Sequence, residues 1–223
     1  MGAGHEWGRD MSGSVNLLVG LAMGLNLMAL ASTRLPSIIR AAALQGMALG
    51  LLPILLQHEG SWLVGVVGVL TVGIKGFLIP GMLRHALRAA QIDREAEPII
   101  GPIPSLLLGA AATIGVVAVT GALPLRPEHA TSLLVSGSFA TVICGLLLLL
   151  GRAKAISQVC GYLIMENGIY LFGMLLIRST PLVVEAGILL DLTVAVFVIG
   201  IIVDRIQREF DSLDTRKLTA LRE

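Results

Sequence analysis

Four ionisable residues lie within long apolar stretches of the chain. Glu166 lies in GYLIMENGIYLFG, Asp191 in EAGILLDLTVAVFVIG and Lys75 in TVGIKGFLIPGML, while Glu185 precedes Asp191 by six residues. A charge at the centre of a bilayer costs from about 3 to more than 10 kcal/mol, so such a side chain faces protein or water and usually belongs to an ion or proton route. Apolar surroundings also raise the pKa of a carboxyl group and lower the pKa of an amino group, so both change charge more readily near physiological pH. These residue types therefore indicate proton transfer within a membrane.

The depths of Glu166 and Asp191 favour a shared pathway. Glu166 lies eleven residues before the end of its predicted span and Asp191 ten after the start of the next, which gives similar depths at about 1.5 Å per residue. Glu185 lies roughly 240° around the helix from Asp191, so one partner cannot serve both. A proton or ion route through Glu166 and Asp191, flanked by Glu185 and Lys75, is favoured. The alternative is that each charge belongs to a structural ion pair or to an interface with another subunit.

The rest of the chain must fold into helices that hold these residues in place. About 20 mainly apolar residues cross a bilayer, and seven stretches satisfy this: 15–33, 36–56, 62–83, 103–123, 131–150, 155–177 and 181–203. Pro80 predicts a kink in the third of them. Residues 84–100 are charged, and their i, i+3, i+4 spacing predicts a helical extension outside the membrane. The predicted fold class is an all-α integral membrane protein with about seven transmembrane helices.

The composition excludes several other classes of protein. Of 223 residues, 55% are hydrophobic and 14% charged, against about a quarter charged in soluble domains, so the chain is expected in a lipid bilayer. A net charge of +1 gives no excess of basic residues for binding nucleic acid. The first thirteen residues lack the basic region of a cleaved signal peptide. The two cysteines and four scattered histidines form no metal-ligand spacing. No cofactor, metal or active site is therefore expected in this chain.

Basic residues predict the orientation, because Lys and Arg accumulate in cytoplasmic loops. Twelve fall on one side of the predicted topology and three on the other, with Lys75 inside a span. This places the N-terminus outside and the C-terminus in the cytoplasm, in a multi-pass protein of the cell inner (cytoplasmic) membrane. Further polar residues within spans are predicted to hydrogen-bond between helices; they are Asn16, Asn26, Gln45, Ser136, Thr141 and Gln158.

Three segments resemble the hydrogenase-4 component E family: RAKAISQVCGYLIMENGIYLFGMLL, PLVVEAGILLDLTVAVFVIGI and REFDSLDTRKLTAL. That family comprises membrane subunits of formate hydrogenlyase-type and other group 4 nickel–iron hydrogenase complexes. Residues 131–203 are similar in turn to the K subunit of respiratory complex I and to the C subunit of multisubunit cation/proton antiporters. A looser similarity to component E extends to GIKGFLIPGML in the third predicted span.

The resemblance implies a division of the chain and roles for its charged residues. The expected units are a three-helix membrane unit with a cytoplasmic extension, a connecting transmembrane helix, a K-like three-helix unit and a cytoplasmic tail, at residues 1–100, 101–128, 129–204 and 205–223. In K subunits, two adjacent helices each carry a glutamate of a membrane-arm chain of ionisable groups. Glu166 matches the glutamate of the first helix. Either Glu185 or Asp191 could match that of the second, and the predicted depth in the membrane favours Asp191. Lys75 resembles the mid-membrane lysines of antiporter-like subunits by type and location alone.

The expected function is that of a non-catalytic membrane-arm subunit of a group 4 hydrogenase assembly, contributing buried carboxylates to the translocation of protons or Na⁺. The expected partners are antiporter-like membrane subunits, a membrane anchor subunit and a hydrogenase-like peripheral arm. Nickel–iron and iron–sulfur centres are expected on those partners. Two alternatives stay open: a purely structural connector of the membrane arm, and a subunit of a cation/proton antiporter or inorganic-carbon uptake complex.

Overall fold

The computed structural model describes residues 3–56, 62–89, 99–123, 133–176 and 200. Within these residues the chain is helical apart from short turns, and no β-strand occurs among them. The helices are α1 (Ala3–Ala31), α2 (Leu35–Leu56), α3 (Trp62–Gly73), α4 (Ile79–Ala89), α5 (Pro102–Ala122), α6 (Leu134–Leu150) and α7 (Ala155–Leu176). A π-helical turn at Ile74–Leu78 joins α3 to α4. The predicted all-α class is confirmed for this part of the chain.

Three of the described helices contain segments long and apolar enough to cross a membrane: Gly13–Ala31, Leu35–Leu55 and Pro102–Ala122. The apolar helix α6 is shorter, at 17 residues. Most helix ends fall within three residues of the predicted span limits, but α1 begins twelve residues before its predicted span. The seventh predicted span lies outside the described residues except for residue 200, and so does the tail 205–223.

Glycine and proline account for the clearest helix boundaries. Helix α5 begins at Pro102, whose fixed φ and missing N–H suit the first helical position. Gly101 precedes it in an extended conformation, with φ −53° and ψ 158°. Helix α6 ends at Leu150, and the N–H of the following residue, Gly151, donates to Leu147 O at 2.8 Å. The chain then turns at once into α7, so α6 and α7 lie antiparallel.

Three glycines allow α6 and α7 to pack backbone to backbone. A Cβ added to Gly161 would lie 2.5 Å from Leu149 N, and one added to Gly168 would lie 2.6 Å from Val142 N. A Cβ on Gly145 would collide with the backbone of Met165. Small residues are the usual means of bringing membrane helices this close. This contact fixes the rotation of α7 about its own axis and therefore the direction in which Glu166 points.

Helices α1 and α2 pack against this hairpin, and α2 contacts both the π-helical turn and α7. A continuous apolar core joins them and includes Leu30, Ile38, Leu148 and Ile164. Helix α5 packs on α1 and α6 but turns much of its surface outward, with Ile103 and Ile114 each 70% exposed. An exposed apolar face of this kind suits contact with lipid hydrocarbon.

A buried arginine ties the loop after α6 to the end of α1. Arg152 Nη2 donates to Leu30 O at 2.7 Å and to Ser32 O at 3.0 Å, and burial lowers the pKa of the Arg152 guanidinium. Near the start of the apolar segment of α1, Gly13–Ala31, the Leu133 N–H donates to Asn16 Oδ1 at 2.8 Å. Arg152 therefore lies at the same end of the bundle as the turn between α1 and α2, as the predicted sorting of basic residues requires.

Candidate functional site

A buried ion pair joins the N-terminal helices to α7. Lys75 Nζ lies 2.6 Å from Glu166 Oε1, and the two side chains are only 6% and 2% exposed. Lys75 Nζ also donates to Asn167 Oδ1 at 3.1 Å. Buried charges are stable only when they are paired and hydrogen-bonded, and two acceptors on consecutive residues of α7 meet that need for Lys75.

The local backbone is shaped to receive the lysine. Lys75 lies in the π-helical turn, where the Ile79 N–H bonds to the Ile74 carbonyl five residues earlier. Pro80 follows directly, and because it lacks an N–H it cannot continue the regular α-helical pattern. The irregularity that the sequence predicts near Pro80 thus takes the form of a π-helical turn. It lies at the depth where Lys75 meets α7.

Close packing on α2 brings the lysine to α7. A Cβ added to Gly46 would lie 2.7 Å from Lys75 Cβ, and one added to Gly76 would collide with the side chain of Met47. These glycines let α2 and the π-helical turn approach each other. The ammonium also lies 5.8 Å from the ring centroid of Tyr170, within the range of a cation–π interaction.

A chain of buried hydrogen bonds leads away from the ion pair. Asn167 Nδ2 donates to Gln45 Oε1 at 3.2 Å, and Gln45 Nε2 donates to Asn26 Oδ1 at 2.7 Å. Asn26 Nδ2 then donates to Thr141 Oγ1 at 2.9 Å. All four residues are buried. Together with Lys75, these hydrogen bonds connect the π-helical turn, α7, α2, α1 and α6.

The structure brings two of the four predicted site residues together. Lys75, predicted only to flank the route, is the ion-pair partner of Glu166. Glu185 and Asp191 lie outside the described residues, so the route from Glu166 to Asp191 stays a prediction. The predicted interhelical hydrogen bonding of Asn26, Gln45 and Thr141 is confirmed.

Sequence reasoning missed the connection from these polar residues to Lys75. The available signal was one amide at mid-span in each of the first two predicted helices, together with Asn167 next to Glu166. No group of three or more His, Cys, Asp or Glu side chains that could hold a metal occurs among the described residues. Cys144 and Cys160 are buried there as free thiols.

The chemistry available at this site is proton exchange on a carboxyl and an amine. Glu166 carries a carboxyl group and Lys75 an amine, and the two lie 2.6 Å apart, close enough for the charge of each to act directly on the other. The neighbouring amides donate and accept hydrogen bonds without changing charge. The arrangement therefore couples a titratable carboxylate on α7 to a cation supplied by the N-terminal helices.

Known proteins match the chain over both halves. Residues 133–223 match the family described as NADH-ubiquinone/plastoquinone oxidoreductase chain 4L. An uncharacterized protein of Mycobacterium tuberculosis is 34% identical over 192 residues, which cover 85% of this chain and 87% of that protein. Hydrogenase-4 component E of Escherichia coli K12 is 32% identical over 154 residues, which cover 66% of this chain and 68% of that protein. No solved structure matches the chain.

The alignment with component E reaches well beyond the part that matches chain 4L. It covers 66% of this chain, about 147 of its 223 residues, whereas 133–223 contains only 91, so more than 50 of the aligned residues lie before the chain 4L match. The apolar helices described above fit a membrane protein. The chain belongs to the hydrogenase-4 component E family.

Proposed function

We propose that the chain is a membrane-arm subunit of a complex I-related hydrogenase assembly and contributes charged residues to proton or Na⁺ translocation. The observation that carries the proposal is the buried Lys75–Glu166 pair. Ionisable residues within a membrane are energetically costly and usually functional. This pair lies in a protein similar to hydrogenase-4 component E, and residues 133–223 of the protein match chain 4L of NADH-ubiquinone/plastoquinone oxidoreductase. Asp191 and Glu185 would extend the route on the next helix.

The proposed topology has seven transmembrane helices, the N-terminus outside and the C-terminus in the cytoplasm, within the inner membrane. The match at 133–223 supports a K-like unit in the C-terminal part of the chain; its proposed limits are 129–204, followed by a tail at 205–223. Residues 1–100 would then form a unit that presents Lys75 to it, and 101–128 would connect the two. Antiporter-like subunits, a membrane anchor subunit and a peripheral arm with nickel–iron and iron–sulfur centres would be the partners.

The decisive variant is Glu166→Gln, which keeps the shape of the side chain and removes its charge. Proton uptake would be measured in membrane vesicles that hold the assembled complex, together with the rate of the redox reaction. We expect a normal amount of complex and a loss of most proton translocation per electron pair. Repeating the assay in Na⁺-free buffer and with a protonophore identifies the ion.

A structural connector is the main alternative, because the same pair and its amide chain join five helical segments. In that case Glu166→Gln would leave translocation unchanged, and Glu166→Ala would abolish assembly. Purification of the tagged chain in mild detergent followed by mass spectrometry tests the assembly itself. Recovery with cation-antiporter subunits only, without a nickel–iron subunit, would contradict the hydrogenase assignment.

A further inference from the structure

The hydrogen bonds that lead away from Lys75 all run in one direction. Lys75 donates to Asn167, which donates to Gln45, which donates to Asn26. Asn26 in turn donates to the hydroxyl of Thr141. Each amide thus accepts on the side nearer to Lys75 and donates on the far side. The order matters because an amide has one accepting end and one donating end.

A backbone carbonyl fixes that direction from the α1 side. Gln45 Nε2 donates to Ala22 O at 3.4 Å as well as to Asn26 Oδ1. A backbone carbonyl only accepts, so the nitrogen of Gln45 must face α1 and its oxygen must face α7. Asn167 therefore has to offer its own nitrogen to Gln45 and its oxygen to Lys75. The environment of Lys75 is set by α1 and α2 through Gln45.

The same chemistry excludes the hydrogen-bonded amides of Asn167, Gln45 and Asn26 as conductors of protons. Side-chain amides lack the exchangeable charge states that carboxyl, amine and imidazole groups use in proton transfer. Their contribution is to hold an accepting oxygen at a fixed place beside the buried Lys75 ammonium, which needs such a hydrogen-bond partner inside the protein. Proton movement at Glu166 therefore depends on groups that do not themselves exchange protons.

We propose that Gln45 is a positioning residue that orients Asn167 and thereby holds the Lys75 ammonium against Glu166. Half of this arrangement comes from residues 1–100, which supply Lys75, Gln45 and Asn26. The carboxylate and Asn167 come from the part of the chain similar to chain 4L. The inference rests on the proposed function, because it assigns Gln45 a role in the same proton-exchanging site.

The experiment compares two Gln45 variants in the assembled membrane complex. Gln45→Met keeps the length of the side chain and removes its hydrogen bonds, whereas Gln45→Glu in its protonated form keeps an accepting oxygen and a donating hydrogen. Gln158→Met is the matched control, because it makes the same substitution away from the site. Gln158 donates to Arg152 O at 3.0 Å, in the loop before α7, and not to Lys75, Asn167, Gln45 or Asn26. Glu166→Gln serves as the reference for loss of translocation.

We expect Gln45→Met to lower the protons translocated per electron pair by at least about fivefold, because it removes the hydrogen bonds of Gln45 to Ala22, Asn26 and Asn167 and one ordinary buried hydrogen bond is worth about a factor of five. The amount of complex and its redox rate should stay normal. Gln45→Glu should retain most translocation at neutral pH, and Gln158→Met should equal the wild type. Rescue by the conservative variant separates hydrogen-bond direction from simple filling of space.

The possible failures are distinguishable. Wild-type translocation in Gln45→Met, with loss in Glu166→Gln, overturns the role of Gln45 and leaves the proposed function standing. Translocation as low in Gln45→Glu as in Gln45→Met overturns it as well, because hydrogen-bond direction would then not matter. Loss of the complex in Gln45→Met alone assigns the amide chain to helix packing. Normal translocation in Glu166→Gln removes the proposed function and this inference together.

Discussion

Replacing Lys75 by methionine tests whether the buried ion pair behaves as a coupled unit. Methionine fills a similar volume but leaves the Glu166 carboxylate without the ammonium that lies 2.6 Å away. It also removes the hydrogen bond to Asn167 and the contact with the Tyr170 ring. Glu166→Gln alone is milder, because the glutamine oxygen can still accept from Lys75. The double variant Lys75→Met/Glu166→Gln has no buried charge at this site.

The expected magnitude follows from the distance and the burial. Two unit charges 2.6 Å apart attract by roughly 6 kcal/mol at an effective dielectric constant of about 20, and the cost of removing both from water offsets most of this. Removing one partner of a buried pair costs about 3–5 kcal/mol, because the other charge stays buried. We therefore expect Lys75→Met to destabilise strongly and the double variant to recover much of the loss.

The assay is a heat ramp on the complex in mild detergent, following retention of this subunit. For a chain of this length, 1 kcal/mol corresponds to about 2–4 °C in Tm, so Lys75→Met should lower Tm by about 10 °C. The control is Lys154→Met, the same change at a half-buried loop residue, with an expected shift below about 3 °C. If the double variant loses the sum of the two single losses, the two side chains are not coupled and the ion pair does not behave as a unit.

Two further predictions concern the frame around the site. Gly145→Leu should prevent stable folding, because any side chain there meets the backbone of Met165 on α7. Its control, Gly115→Leu, should be tolerated, because an added Cβ at Gly115 has nothing within 4 Å. The yield of monodisperse protein in detergent measures both effects. Arg152→Met should lower stability by about 2–3 kcal/mol, since two carbonyls at the end of α1 lose a charged donor. Arg88→Met changes an exposed arginine and should shift Tm by less than about 2 °C; equal losses in the two arginine variants would contradict the role of Arg152.

The existence and approximate limits of the described helices could be predicted from sequence alone. Length and apolar content are local properties, and bilayer thickness turns them directly into helix limits. Gly101 and Pro102 at the start of α5 show the same local control, because backbone geometry at these residues depends little on distant contacts. That Glu166 and Lys75 are enclosed by protein was also predictable from sequence, since a charge in an apolar run is costly wherever it packs.

The partners of those charges required the tertiary structure. A sequence gives the depth of a residue along its helix, but not which helices are neighbours or how each is rotated. Lys75 meets Glu166 across 91 positions of sequence because glycines on α2, α6 and α7 permit close approach and because a π-helical turn sets the direction of the lysine. Composition and periodicity thus determined a helical membrane protein with buried charges. Packing between distant helices decided that Lys75 and Glu166 form one site, oriented through Gln45.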